Sequence, residues 1–162
     1  MNAIAYRIAK TRYSGSHEEM FSGVGAAIQG GRWNSKGHHM VYASDSGALA
    51  TLEIAVHLQN TAVLAAYSVC RIVIPDGLCE EVTADELPDG WDELVINPLA
   101  AQAWGDLWLE VGATPAVKVP SVILPTEWNV LLNPGHDQFP DIKLGRIEPH
   151  AFDPRIKGNP MA

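Results

Sequence analysis

One charge sits in the most apolar helical stretch of the chain. The segment Gly47–Leu58, GALATLEIAVHL, carries Glu53 as its only formal charge. Leu49, Leu52, Ile54, Val56 and Leu58 span several faces, the pattern of a helix buried nearly all round. Leu49 lies four residues before Glu53 and Val56 three after, so Glu53 shares their stripe. An unpaired carboxylate buried there would cost on the order of several kcal/mol. Glu53 must therefore meet a partner or look into a cleft. Both readings stand on these residues: a Glu–Arg pair that holds elements together, or a fixed carboxylate that does chemistry.

Two further clusters have the right residue types. In Gly30-Gly31-Arg32-Trp33-Asn34, with Gly37 shortly after, the glycines let backbone approach a ligand closely. Arg32 supplies a forked cation suited to phosphate or carboxylate, and Trp33 is a large apolar anchor beside it. The alternative is a tight turn whose Arg32 pairs with Glu53. The other cluster is Pro120-Ser121, Pro125-Thr126-Glu127-Trp128-Asn129 and Leu132-Asn133-Pro134, read as a shaped loop that serves a ligand or simply its own backbone. Other signals are weaker. His38-His39 is adjacent and reads as a solvated loop, not a metal site. His57 follows Glu53 by four residues without an HExxH motif, and no P-loop, GxGxxG or GxSxG is present. Trp104 and Trp108 stand at helical spacing and read as core, and the acidic run Glu80–Glu93 reads as a solvated loop.

The elements that must position these residues are short. Ala3–Ala9 is predicted as a strand with Ile4, Tyr6 and Ile8 on one face, and Met40–Ala43 as a short apolar strand. Ser44, Asp45 and Ser46 offer caps for the helix Gly47–Leu58. Gly23–Gly31 is Gly/Ala-rich and ends in a Gly-Gly turn. Ala62–Ile74 suggests a strand or hairpin arm ended by Pro75. Asn97-Pro98 opens a helix running to about Val111, where Gly112 can stop it. Short strands are expected around Pro120 and over Ile142–Ile147. Without regular βαβ alternation, this mixture argues α+β.

Bulk properties set limits. The 162 residues are one domain's length, with 47% hydrophobic and 19% charged residues, which excludes a disordered or fibrous chain. No apolar run reaches the ~20 residues of a membrane span, and the N-terminus lacks a signal peptide's layout. A net charge of −8 with scattered Lys and Arg disfavours direct nucleic-acid binding. Cys70 and Cys79, outside any CxxC, make neither a disulfide framework nor a thiolate metal site, and a reducing cytoplasm is the expected location.

Taken in order, Tyr6-Arg7-Ile8, Gly25-Ala26, Gly30-Gly31-Arg32-Trp33-Asn34, Gly37, Val41-Tyr42, Leu49-Ala50, Leu52-Glu53, Pro120-Ser121, Asn129 and Asn133-Pro134 resemble the RES domain family, named for its Arg, Glu and Ser. The resemblance runs from about Ala5 to Phe152, and Arg32, Glu53, Ser121 and the family's active-site tyrosine, Tyr42, are all in place. It implies a single RES domain over residues 1–162. The implied fold is α+β and ADP-ribosyltransferase-like: a compact domain with a pair of small mixed β-sheets flanked by helices. It implies the toxin of a bacterial type II toxin–antitoxin pair that acts on NAD+ as substrate without a metal. Such toxins break the nicotinamide–ribose bond and pass ADP-ribose to phosphate, water or a protein side chain. The implied partner is an Xre-like helix-turn-helix antitoxin that occludes the pocket, in a complex holding more than one copy of each chain.

The same resemblance assigns roles. Glu53 would stabilise the developing positive charge on the ribose, as in glycoside cleavage. Arg32 would bind the diphosphate or ribose oxygens, with Arg7 a second phosphate contact. Tyr42 would offer a ring to nicotinamide and a hydroxyl for positioning, and Ser121 would orient Glu53 or the ribose. Gly31, Trp33, Asn34 and Asn133 join Arg7, Arg32 and Tyr42 as expected NAD+ contacts, with Asn129 and Asn133 also expected to brace the Ser121 loop. NAD+ degradation is the first expectation and ADP-ribosylation of a host protein the second. A non-catalytic relative that only binds antitoxin is the contrasting class.

Overall fold

The computed structural model describes residues 1–58 and 66–157. Among the described residues there are seven strands: β1 (Ala3–Lys10), β2 (Val41–Ser44), β3 (Tyr67–Ile74), β4 (Cys79–Glu81), β5 (Ala116–Pro120), β6 (Trp128–Leu132) and β7 (Lys143–His150). The α-helices are α1 (His17–Met20), α2 (Val24–Gln29), α3 (Gly47–Ala55) and α4 (Leu99–Val111). The strands form one sheet in the order β4-β5-β6-β2-β1-β3-β7, parallel only between β4 and β5. Neighbours β1 and β2 are joined through one register pair, Tyr6 opposite Ser44. A four-stranded and a three-stranded half therefore meet at a narrow seam, so the expected pair of small sheets is one continuous mixed sheet.

Alternation along the strands sorts the core onto two faces. Ala5, Val41, Ala43, Cys70, Ile72 and Val130 bury one face against Met20 and Phe21. The opposite face, called the front below, carries two separate clusters. On the four-stranded half, Val117, Val119 and Leu131 pack with Trp33, Ala101 and Trp108. On the other half, Ile8 and Tyr67 pack with Ala50 and Leu58 around α3. The seam lies between these clusters, and polar side chains gather there.

Several sequence expectations shift. The Gly/Ala-rich stretch from Gly23 forms α2, begun by Gly23 in the left-handed region at φ 70°. α3 ends at Ala55, and Val56 is half exposed, so this helix is not buried all round. Residues 59–65, the start of the predicted arm Ala62–Ile74, lie outside the described residues. The N-cap of α4 is Pro98, while Asn97 adopts φ 55° just before it, and Gly112 ends the helix in the left-handed region as expected. The acidic run is not simply a solvated loop. It overlaps β4, and Glu80 Oε1 accepts hydrogen bonds from Trp108 Nε1 (2.7 Å) and Thr114 Oγ1 (3.0 Å). Most consequential, Trp128–Leu132 is a strand, not loop, and pairs with both β2 and β5. Among the described residues no helix is long and apolar enough to cross a membrane.

Candidate active site

Glu53 is positioned by the start of its own helix. Ser46 caps α3, its Oγ accepting the Leu49 N–H (3.0 Å) and donating to Glu127 Oε2 (3.0 Å). This ties the helix to the loop 121–127, which Ser121 organises. Buried Ser121 accepts the backbone N–H groups of Ile123 and Leu124 on its Oγ, both at 3.1 Å, and donates from that Oγ to Glu53 Oε1 at 2.9 Å. Two loop amides thus fix the hydroxyl's aim.

A second donor reaches the same carboxylate oxygen: Asn129 Nδ2 lies 2.7 Å from Glu53 Oε1. Ser44 Oγ donates to Asn129 Oδ1 at 3.0 Å, which sets the amide so that its NH₂ faces Glu53. Asn129 therefore holds the carboxylate itself and does not brace the Ser121 loop as expected. Ser44 and Asn129 are directly opposite in register on β2 and β6, so their contact follows from strand pairing. From sequence, Ser44 is expected only as a possible helix cap. The available signal was a lone polar residue in each of two short apolar strands, VYAS and WNVLL.

Glu53 Oε1 thus receives two donors, and among the described residues no donor engages Oε2. No cation pairs with Glu53 among them either, so the buried Glu53–Arg32 pair is not formed. Instead, Arg32 Nη1 donates to the carbonyls of Trp91 (3.0 Å) and Glu93 (2.9 Å) and anchors that segment beside α4.

Around Arg32 the remaining expected contacts form a supporting frame. The Tyr42 hydroxyl donates to Asn34 Oδ1 (2.6 Å) and accepts the Trp33 N–H (3.0 Å). Burial pushes this phenol well above the ordinary tyrosine range, opposed in part by the Trp33 hydrogen bond and the Arg32 charge. Gly31 is required by close approach, because a Cβ there would lie 2.5 Å from the Tyr42 hydroxyl. Asn34 is fully buried and its Nδ2 donates to the carbonyls of Ala26, Ser35 and His38, so its side chain is spoken for. Trp33 is buried between Trp91, stacked at 5.9 Å, and Trp104, edge-on at 5.4 Å. These residues shape a wall and present few free groups to a ligand.

Two expected contacts stand elsewhere. Arg7 pairs in register with Cys70, on the face opposite Glu53. Its Nε donates to Met20 O (2.7 Å) and Nη1 to Tyr42 O (2.9 Å), and burial pulls it down to about 10. The sheet separates it from the carboxylate, so its position is that of a brace. Asn133 accepts the Gly135 N–H (3.1 Å) and reaches Leu109 O (3.4 Å), a turn contact. His38 is not merely solvated: its Nδ1 lies 3.5 Å from Asp106.

What gathers at the seam is a carboxylate held on one oxygen by Ser121 and Asn129, with no donor on the other oxygen among the described residues. Tyr42 stands two residues along the strand from Ser44, on the same face. A preorganised carboxylate of this kind suits a reaction in which positive charge develops at carbon.

The family model for the RES domain matches residues 4–153. The chain is 38% identical over 156 residues to a protein named Toxin Res from Yersinia enterocolitica serotype O:8 / biotype 1B, covering 94% of this chain and 98% of that protein. It is also 38% identical over 138 residues to the Prs ADP-ribosylating toxin of Sphingobium sp. strain YBL2, covering 83% of this chain and 85% of the relative. Among solved structures, the fold is similar to a chain in the crystal structure of the M. tuberculosis MbcT–MbcA toxin–antitoxin complex. That likeness has a TM-score of 0.69 at 18% identity and covers 97% of this chain and 87% of that one.

Proposed function

The chain belongs to the RES domain family, and from that premise we propose that it is the toxin of a toxin–antitoxin pair and cleaves the nicotinamide–ribose bond of NAD+. The observation that carries this reading is Glu53, held on Oε1 by Ser121 and Asn129 while Oε2 is left for a ligand.

Nicotinamide leaves with the electron pair of the C–N bond and departs neutral, so the enzyme needs no general acid. The charge it leaves behind spreads over the ribose carbon and ring oxygen, an oxocarbenium-like state. Glu53 opposes that charge and holds a ribose hydroxyl on its open oxygen. Ser121 and Asn129 keep the carboxylate from turning away, which makes the stabilisation preorganised. An acceptor oxygen then bonds to the ribose carbon. Phosphate as acceptor gives phosphorolysis, water gives hydrolysis with loss of a proton, and a protein side chain gives ADP-ribosylation. The name of the Sphingobium relative supports the last as the second reading. Tyr42 and Arg32 form the wall beside the leaving group, and the whole of residues 1–162 acts as one domain in the cytoplasm.

The toxin names of the relatives and the toxin–antitoxin complex of the structural neighbour support an antitoxin partner. We assign it the Xre-like helix-turn-helix type, seated over the pocket in a multi-copy complex.

The test is loss of NAD+ with purified protein, with and without inorganic phosphate, beside Glu53→Gln. Wild-type loss is expected, with the variant slower by about 10²–10³ and equally folded. Phosphate dependence would identify phosphorolysis. Label appearing only on added lysate protein would establish the transfer reading instead, and no NAD+ consumption under any condition would leave an antitoxin-binding relative.

A further inference from the structure

The front face continues past the seam. Asn129, Ser44, Tyr6 and Arg71 stand side by side across β6, β2, β1 and β3, each opposite the next in register. At about 4.8 Å per strand, the Arg71 backbone is two strands, about 10 Å, from Ser44. Beyond Tyr6 lies an open groove of about 390 Å³ between β1, β3 and β7, with Arg71, Lys143 and Arg146 along it. Three of the chain's 11 Lys and Arg residues thus share one groove in a protein of net charge −8, whereas residues 72–117 contain none.

The groove is built, not only populated. The β3–β7 register shifts between Cys70 and Ile72, a bulge in which Gly145 and Arg146 of β7 stand against the single residue Arg71 of β3. Bulges re-aim side chains and are enriched beside active sites. Opposite it, residue 145 must be glycine, because a Cβ there would lie 2.8 Å from the Arg71 carbonyl oxygen. The Gly145 carbonyl is itself pinned by His17 Nε2 (2.7 Å) and Cys70 Sγ (3.3 Å) from the other face. Arg7 and Arg32 already donate to backbone carbonyls, but among the described residues no acid or carbonyl engages Arg71 or Lys143. The groove's one acid, Glu148, lies a long 3.9 Å from Arg146.

We propose that this groove is an anion subsite continuous with the Glu53 cluster, with Arg71 its principal donor, and that it takes phosphate groups of the ligand. The assignment rests on the NAD+ reading of that cluster. In the dinucleotide one ribose separates the scissile bond from the diphosphate, and the long Arg71 side chain closes the remaining distance. The same chemistry fits free inorganic phosphate as the acceptor.

Calorimetric titration of ADP-ribose and of inorganic phosphate into wild type, Arg71→Gln, Arg71→Lys and the Lys143→Gln/Arg146→Gln double variant tests this. Arg71 is exposed, so its substitution leaves the melting temperature unchanged. If the groove holds the diphosphate, Arg71→Gln weakens ADP-ribose about tenfold, Lys restores part of it, and the KM for NAD+ rises with little change in kcat. If it holds the acceptor, Arg71→Gln leaves ADP-ribose binding intact and raises the phosphate needed for half-maximal rate. Either result upholds the subsite and names the source. Variants that match wild type toward both ligands overturn it, and if NAD+ is still cleaved the cleavage reading survives. A wild type that binds ADP-ribose through Arg71 without cleaving NAD+ upholds the subsite and sinks the cleavage reading. Binding of neither ligand ends both.

Discussion

At the scale of single residues, the two donors on Glu53 are not equivalent, and their removal separates catalysis from folding. Asn129 serves the carboxylate and, among the described residues, has its side-chain amide set by Ser44. Asn129→Asp keeps the volume but places a second carboxylate against Glu53, and the Ser44 hydroxyl still has an acceptor. We expect NAD+ cleavage to fall by about 10², with a melting temperature lowered by the like-charge contact. Ser121 also accepts two loop amides, so Ser121→Ala strands two backbone N–H groups and removes one of the carboxylate's two donors. An unsatisfied buried group costs about 1–3 kcal/mol, so that variant should lose clearly more stability in thermal melts than Asn129→Ala. A Ser121→Ala protein as stable as wild type would show that the hydroxyl does not organise the loop. The carboxylate was conspicuous in the sequence because a charge in an apolar helix demands an explanation. Of its two partners, Ser121 was named through the family resemblance, but Asn129 was not, because Asn129 and the Ser44 that sets it acquire their meaning from β2–β6 register, which no local pattern encodes.

At the scale of elements, the seam depends on how closely α4 approaches the Trp33 segment. Gly105, in the middle of α4, faces the Trp33 backbone so closely that any Cβ would collide with its carbonyl oxygen. Because the obstacle is backbone, no rotamer change relieves it. Gly105→Ala would improve helix propensity by about 1 kcal/mol in isolation, yet here we expect net destabilisation of about 1–3 kcal/mol. It should also loosen the Trp33–Tyr42 contact, read as quenching or shift of tryptophan fluorescence alongside the melt. A stabilised Gly105→Ala would contradict this packing. Helix limits here were legible from Pro98 and Gly112, and β1 from its alternation. Strand β6 was not, for a physical reason: WNVLL is buried at Val130, Leu131 and Leu132 in succession, so period-two alternation vanishes, and its flanks Pro125-Thr126-Glu127 and Asn133-Pro134 have turn composition. The Gly/Ala content of α2 hid a helix in the same way, since intrinsic propensity there is weak and tertiary packing decides.

At the scale of the whole molecule, the balance of charge and burial sets an alkaline limit to stability. Burial pushes the Cys79 thiol up to about 11, raises Cys70 above its ordinary value, and raises Tyr42 beyond the ordinary tyrosine range. In each case the folded chain keeps a proton that the unfolded chain releases, so the stabilisation is complete below the unfolded value and is lost as pH rises through the folded one. The thiols act first, from about pH 9, and Tyr42 follows from about pH 10. Each contributes a slope of at most about 1.4 kcal/mol per pH unit. Arg7 works the other way but only above about 10, where the folded state sheds its buried charge before the unfolded state does. The window from pH 8.5 to 10 therefore isolates the thiols, and the melting temperature should fall across it. The excess of acid, net −8, pushes in the same direction, because each added negative charge strains the compact state. Salt separates the two causes: it screens the exposed charges but not a buried thiol. We expect added salt to raise the whole melting curve while leaving the fall, and Cys79→Ser to flatten part of the fall in either buffer. A melting temperature constant from pH 8.5 to 10 would mean that the thiols ionise as freely in the folded chain as in the unfolded one, and that the edge strand β4 opens to water more readily than its packing implies.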